Sequence, residues 1–344
     1  MTEILQIDPL SPEADRIVHA AEVIKKGGLV AFPTETVYGL GADATDAEAA
    51  KKIYAAKGRP SDNPLIIHVS SPKDAEKYAY TNDLYYSLAE AFMPGPLTVI
   101  LPKRDTIPLS VTGGLDSVAV RCPSHPIARA LISAADTAIA APSANLSGSP
   151  SPTCSAHVIA DLDGRVDMII DGGSCEIGLE STIVKIIDEK SAVLLRPGAI
   201  TYDALLCVCE KVDIAPSVTA KLAENERPLS PGMKYRHYAP SAPLVLLDGE
   251  YSDVLDFMCK AQKEERCAII CYDEDLPSLS GEMIVSIGSR DDAKKQAARL
   301  FSALREADKF KSDIIYAHLP SKYGLGLALY NRMIRAAAHT IKKI

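Results

Sequence analysis

Residues Phe32 to His68 read FPTETVYGLGADATDAEAAKKIYAAKGRPSDNPLIIH, and the fold of the N-terminal half depends on how this stretch divides. The apolar run Gly28-Leu29-Val30-Ala31-Phe32 leading into it predicts a short buried strand. Pro33-Thr34-Glu35-Thr36 is a polar turn, and Gly39 and Gly41 punctuate the segment after it. Thr45-Asp46-Ala47-Glu48 has the form of a capping box, with Thr45 as N-cap and Glu48 reaching back. The helix it starts runs to about Lys57, because Gly58 suits the left-handed position after a helix and Pro60 cannot continue it. Arg59 to Pro64 is turn-rich, and Leu65 to Val69 predicts a second strand carrying His68. Thr34, Thr36, Lys57, Arg59 and His68 thus stand at the loop ends of a strand–helix–strand unit, where open α/β sheets bind ligands. Lys57 and Arg59 equally suit compensation of the helix C-terminus, and spacing alone leaves both readings open.

The 344-residue chain predicts two domains. Its 47% hydrophobic and 24% charged residues place it in the globular range, so a sizeable core is expected. With no Trp and five Phe, that core must be largely aliphatic. The net charge of −8 argues against wrapping nucleic acid over the whole surface, while a local basic cleft remains possible. The eight cysteines contain no C-x-x-C pair and no zinc spacing. Several lie in apolar runs, as small hydrophobes do, which points to structural thiols and a cytoplasmic location. The opening MTEILQIDPLSPEADR has early acids and no apolar core of a signal peptide. No run of about 18 apolar residues predicts a membrane span.

Outside the opening stretch, helices are expected at Ser11 to Lys26, Ala75 to Ala79, Asp83 to Phe92, His125 to Ala135 and Tyr202 to Lys211. Strands are expected at Leu97 to Leu101, Ser117 to Arg121, Ala138 to Ala141 and Val166 to Ile170, with a hairpin over Ser181 to Ile187 and Ala192 to Arg196. The loop Pro142 to Thr153 is long enough to serve a function. Composition shifts after Val212: residues 213–243 are rich in Pro and read as a linker, with a trace of apolar periodicity only around Val218 to Leu222. Its centre, Ser230 to Pro240, carries Tyr235, His237 and Tyr238, unlike a Gly/Ser tether. Such a segment is expected to fold back over the first domain's cleft as a lid. Beyond it, strands at Leu244 to Leu247, Cys267 to Cys271, Met283 to Ile287 and Asp313 to Ala317 alternate with helices at Ser252 to Lys263, Asp291 to Ala307 and Leu325 to His339. The division is therefore 1–212, a linker or lid at 213–243, and a small, mainly parallel α/β domain at 244–344.

No Walker A, H-E-x-x-H or G-x-S-x-G motif occurs. The chain offers hydroxyls and amides with a few cations: Thr34, Thr36, Lys57, Arg59, His68, Ser117, Arg121, Ser143, Asn145, Ser181 and Arg196. Arginines and lysines aimed at one site suit phosphates and carboxylates, and hydroxyls discriminate a small polar substrate. Such a set positions and neutralises anionic reactants, as phosphoryl and nucleotidyl transfer require.

Pro33-Thr34-Glu35-Thr36-Val37-Tyr38-Gly39-Leu40, Lys57-Gly58-Arg59-Pro60, Pro94-Gly95-Pro96-Leu97-Thr98, Arg121-Cys122-Pro123, Pro142 to Gly148 and Ser181-Thr182-Ile183 together resemble the YrdC-like domain. The linker from Ser230 to Pro240 and the segment beyond it resemble the long, two-domain form of the threonylcarbamoyl-AMP synthase family. The resemblance implies a twisted mixed α/β sheet followed by a Rossmann-like domain. It also implies a nucleotidyltransferase joining L-threonine, bicarbonate and ATP into threonylcarbamoyl-adenylate, with release of pyrophosphate. A separate transferase complex would then modify the tRNA adenosine beside the anticodon. Carried over position by position, threonine falls to Thr36, His68, Arg121, Ala141 and Ser181. ATP falls to Arg59, Asn63, Ser117, Ser143, Asn145, Ser151 and Arg196, with Lys57 and the linker's Tyr235 and His237. Lys57 and Arg59 would be the catalytic cations, and magnesium is expected to arrive with ATP. Neither a membrane nor stable nucleic-acid binding is required. Two alternatives differ in class: an RNA-binding module without ATP turnover, and a carbamoyl-transferring maturation factor, whose zinc-finger and acylphosphatase-like segments this chain lacks.

Overall fold

The computed structural model describes residues 1–220 and 237–344. The lid expected at Ser230 to Pro240 therefore lies, up to Arg236 and including Tyr235, outside the described residues.

In the first unit eleven strands form one sheet. They are β1 (Glu3–Gln6), β2 (Val30–Phe32), β3 (Gly39–Asp43), β4 (Ile66–His68), β5 (Leu97–Pro102), β6 (Ser117–Arg121), β7 (Ile139–Ala141), β8 (Met168–Asp171), β9 (Thr182–Ile186), β10 (Ser191–Arg196) and β11 (Lys211–Ile214). Their order is β1-β8-β2-β3-β7-β4-β6-β5-β9-β10-β11. Pairing is mixed: β4 runs parallel to β6 and antiparallel to β7, while β5 runs antiparallel to β6 and parallel to β9. Helices Ala14–Lys25 and Pro126–Ala135 bury Ile17, Ala20, Ile24, Ile127 and Leu131 against Phe32, Met168 and Ile170. A second cluster, Ile66, Ile100, Ala119, Ile183 and Leu195, crosses the middle of the sheet.

The opening stretch divides differently from its sequence reading. Gly39 to Asp43 is a strand, paired antiparallel to β2 and to β7, so β3 stands between the first strand and the helix. A glycine-rich run reads as a loop, yet glycine is what this strand needs. A Cβ at Gly41 would sit 2.7 Å from both the Phe32 and Ile139 side chains. The helix is Ala47–Lys57, and its N-cap is Asp46, whose carboxylate accepts the Glu48 N–H. Thr45 instead donates its N–H and hydroxyl to the Asp43 carboxylate. Gly58 does close the helix in the left-handed conformation, at φ 60°.

Three further boundaries differ. The helix expected at Ala75 to Ala79 is a 3-10 helix at Pro72–Lys77. The helix at Tyr202 stops at Leu206, and β11 comes next, pairing parallel with β10 and running two residues past position 212. The ordered turn in the linker's first part is Pro216–Val218. Edge strand β1 carries too little burial to show in the apolar pattern.

The second unit, from His237 onward with the short pieces Gly148–Pro150 and Ile177–Leu179, is built on an all-parallel sheet. Its strands are β12 (Leu244–Asp248), β13 (Cys267–Cys271), β14 (Ile284–Ser286), β15 (Ile314–His318) and β16 (Ile341–Lys343), in the order β14-β13-β15-β12-β16. Helices Tyr251–Glu264, Ala293–Lys309 and Gly326–Ala336 alternate with them, as the periodicity predicts. Leu247, Val254, Met258, Ile269, Cys271 and Tyr316 form its core.

Candidate active site

Strand register assembles the first group of candidate residues. Arg121 is the cross-strand partner of His68 on one side and of Thr98 on the other. Direct partners in a sheet project from the same face, so His68, Arg121 and Thr98 form a row across β4, β6 and β5. The row continues by hydrogen bonds. The Thr98 and Ser181 hydroxyls are 2.7 Å apart, and the Arg196 Nη2 donates to Ser181 Oγ at 3.1 Å. Ala141, on β7, pairs with Ile66, two residues before His68 on the same face.

The Pro33-Thr36 turn overlies this row. Thr34 Oγ1 donates to the Val37 carbonyl at 2.7 Å, so at 2.8 Å it must accept from the Thr36 hydroxyl. Arg121 Nη2 donates to Glu35 Oε1 at 2.7 Å. Both side chains are buried, 5% and 7% exposed. Glu35 and Thr98 stand in the sequence motifs, yet sequence reasoning assigns neither a role. A charged residue inside a short turn between two apolar strands is the signal that could have found Glu35.

His68 Nδ1 lies 3.1 Å from the Ile66 carbonyl and 3.3 Å from that of Ile139. Carbonyls only accept, so Nδ1 carries the proton and Nε2 is left as an acceptor. Burial first, and then the Arg121 charge, push the His68 pKa down to about 3, so the ring is neutral near pH 7.

The second group gathers where the helix Ala47–Lys57 meets the loop after β7. Lys57 Nζ donates to the main-chain carbonyls of Ser143 and Asn145. The ammonium thus ties the helix end to another loop. Burial, followed by the Arg59 charge, pushes the Lys57 pKa well below 10.5. Ser143 Oγ donates to Asn145 Oδ1 at 2.5 Å, and the Asn145 amide donates to the Leu146 carbonyl at 2.7 Å. The loop is fastened further by Leu40 N–H to Pro142 O and Ser147 N–H to Lys57 O, both 2.9 Å.

Arg59 Nη2 reaches the Asn63 and Pro64 carbonyls at 3.3 and 3.1 Å, and so folds back on its own loop. Asn63 is 2% exposed, and its Oδ1 has no partner among the described residues. Ser151 donates to the Glu180 carboxylate, next to Ser181. Ser117 opens β6, at the opposite end of the strand from Arg121. His237 belongs to the second unit, with its ring 5.5 Å from that of Tyr238.

This mixed sheet presents buried cations, a neutral imidazole and hydroxyls on one face, a set chemically suited to small anionic or zwitterionic molecules. The comparisons with known proteins give the chain its family. A family model described as telomere recombination matches residues 22–198, and one described as the threonylcarbamoyl-AMP synthase C-terminal domain matches 200–338. A Bacillus subtilis (strain 168) threonylcarbamoyl-AMP synthase is 44% identical over 333 residues, covering 96% of this chain and 95% of its own. One from Pyrococcus abyssi (strain GE5 / Orsay) is 44% identical over 334 residues, covering 94% and 95%. The crystal structure of P. abyssi Sua5 complexed with L-threonine matches with a TM-score of 0.91 at 42% identity, covering all of both chains. The chain belongs to the threonylcarbamoyl-AMP synthase family, whose members are nucleotidyltransferase-type enzymes.

Proposed function

We propose that this chain condenses L-threonine, bicarbonate and ATP into L-threonylcarbamoyladenylate, with water lost as the amine is carboxylated and pyrophosphate released from ATP. One observation carries the reading. A row of polar groups, His68, Arg121 and Ser181, lies across one sheet, and Lys57 is bonded to the loop after β7 that carries Ser143 and Asn145, in a chain similar to a protein crystallised with L-threonine.

Thr36, His68, Arg121, Ala141 and Ser181 would hold threonine. Arg121 supplies charge for the carboxylate, and the neutral His68 presents an acceptor to the hydroxyl or amine. Arg59, Asn63, Ser117, Ser143, Asn145, Ser151 and Arg196 would hold ATP with Lys57, and Tyr235 and His237 would complete the site from the linker. In the transfer step an oxygen of N-carboxylated threonine attacks the α-phosphorus. The bond from that phosphorus to the bridging oxygen breaks, and pyrophosphate leaves with the electron pair. Lys57 and Arg59 neutralise charge developing on the phosphates.

Among the described residues no group of three or more His, Cys, Asp or Glu side chains forms a cage for a metal. Magnesium would thus enter on the phosphates and keep several waters, as it commonly does. Bound, it supplies further charge neutralisation. The product is proposed to serve a tRNA-modifying threonylcarbamoyl transferase complex in the cytoplasm, without a stable RNA complex. All eight cysteines are free thiols, and no described helix is long and apolar enough to cross a membrane.

The test is a pyrophosphate assay with single omissions. Release is expected only when threonine, bicarbonate and ATP are all present. ATP turnover that is equal without threonine overturns the proposal. Salt-dependent tRNA binding with no turnover would favour the RNA-binding alternative instead.

A further inference from the structure

We propose that Cys154 and Cys175 form an oxidisable thiol pair, a modification site at which hydrogen peroxide joins the two in a reversible disulfide and slows synthesis by disturbing the turn at residues 33–36. Thiol oxidation goes beyond the proposed synthase function, and only the activity readout below rests on that function.

Main-chain bonding brings the two cysteines together. The Tyr38 N–H donates to the Pro152 carbonyl at 2.9 Å, and the Cys175 N–H donates to the Thr153 carbonyl at 2.8 Å. The peptide that joins Thr153 to Cys154 is thus bonded directly to Cys175. A main-chain bond of this kind sets facing Cα atoms about 5 to 6 Å apart, inside the range a disulfide spans. The thiols lie in each other's field as well. Burial is the main cause that pushes the Cys175 pKa up to about 12, and Cys154 adds to it. Burial, then Cys175 and more weakly Cys154, likewise raise the pKa of Tyr38.

Their surroundings differ as those of an attacking and a resolving thiol should. Cys154 is partly exposed and is the N-cap of helix Ser155–Leu162, yet its side chain makes no capping hydrogen bond. Ser, Thr, Asp or Asn serves a helix better there, so capping does not account for the thiol. Cys175 is 6% exposed, shielded from peroxide in solution but beside an oxidised neighbour. Gly173, at φ 83° with open space around it, gives its segment room to adjust.

In the first step the Cys154 sulfur attacks one peroxide oxygen. The S–O bond forms, the O–O bond breaks, and the departing hydroxide takes the thiol's proton and leaves as water. The Cys175 sulfur then attacks the sulfenic acid on Cys154. The S–S bond forms, the S–O bond breaks, and a second water leaves with the Cys175 proton. Two thiols lose two electrons, one peroxide gains them, and a dithiol reverses the change. The Cys175 sulfur also receives a main-chain hydrogen bond from Thr34, within the field of Glu35 and Arg121. Drawing it toward Cys154 takes that support from the turn that carries Thr36.

Treating the full chain with hydrogen peroxide, blocking the remaining thiols and digesting with trypsin tests this. Trypsin cuts at Arg165, between the two cysteines, so the disulfide appears in mass spectra as peptides 130–165 and 166–185 joined. The joined species should form with peroxide and vanish with dithiothreitol. Pyrophosphate release should fall about tenfold as it forms and return on reduction, since small displacements at a site are costly. Cys154→Ser, whose hydroxyl suits an N-cap, should keep the untreated rate and lose both the cross-link and the sensitivity. Oxidation of the exposed Cys207 with no joined peptide overturns the inference. A cross-link that leaves the rate unchanged, or equal inhibition of Cys154→Ser, overturns it too. If the untreated chain releases no pyrophosphate, the proposed function fails, and the cross-link, which is read without activity, still decides for or against the thiol pair.

Discussion

Two buried polar networks in this molecule differ in a way that separates work from support. In the second unit Asp275 is fully buried and saturated. Tyr251 OH, His318 Nε2 and the Tyr272 N–H donate to it at 2.5, 2.8 and 2.8 Å. Burial alone would raise its pKa, but these bonds outweigh burial and hold it below the ordinary value. The His318 ring lies between Tyr251 and Tyr272, with centroids 5.8 and 4.6 Å away. In the first unit Glu35, Arg121 and Asn63 are as deeply buried, yet each keeps an atom without a partner among the described residues. A closed network stabilises a fold, whereas one with open donors and acceptors costs stability unless a ligand completes it. The carboxyl edge of the parallel sheet, where α/β folds often bind ligands, is here the closed one.

The sharpest way to break the contrast is at the cluster proposed to hold phosphate. Arg59→Ala should cut pyrophosphate formation by about a hundredfold or more, corresponding to roughly 3 kcal/mol of transition-state stabilisation. Its melting temperature should move little. Near-normal turnover would return Arg59 to a structural role. Lys57→Ala should lose as much activity and also stability, since its ammonium joins two segments.

A second test asks whether Arg121 is more than the partner of Glu35. Arg121→Ala should raise the threonine KM by about tenfold or more and leave that of ATP nearly unchanged, and Lys should rescue it poorly because it offers only a point charge. A threonine KM equal to that of the wild type would close this network too and erase the contrast.

The converse holds for the second unit. Asp275→Ala leaves His318 and Tyr251 without their acceptor and should lower the unfolding free energy by about 3 kcal/mol in chemical denaturation. The rate of synthesis at 25 °C should stay within about twofold, as expected of a closed structural network. A large loss of rate with unchanged stability would make that cluster a working site.

The last expected effect is a pH dependence, gradual at any one pH unit. His68 has a folded-state pKa near 3 against an unfolded value of 6.5. The unfolded chain therefore binds the extra proton between those values, and His68 contributes stability that is complete above pH 6.5 and lost as pH falls toward 3. The loss approaches about 1 kcal/mol per pH unit in that window. His68→Gln should flatten the decline of melting temperature between pH 6.5 and 4. A slope identical to that of the wild type would mean that His68 titrates normally.

What could be read in the primary structure was whatever local rules govern. The helix at Ala47–Lys57 with its Gly58 stop, the β9–β10 hairpin and the alternating elements after Leu244 arise from periodicity, capping and turn chemistry acting over a few residues. The site residues from Thr36 to Arg196 were named instead through the motifs' resemblance to a known family, carried over position by position. Tertiary structure alone decided that glycine-rich β3 enters the sheet between β2 and β7, because only the facing side chains of Phe32 and Ile139 show why that strand needs Gly41. It also decided that His68, Arg121 and Thr98 share one row, and that Arg121 leans on Glu35. Register and ion pairing join residues tens of positions apart, and their free energy arises only when the sheet closes and water is excluded from between them.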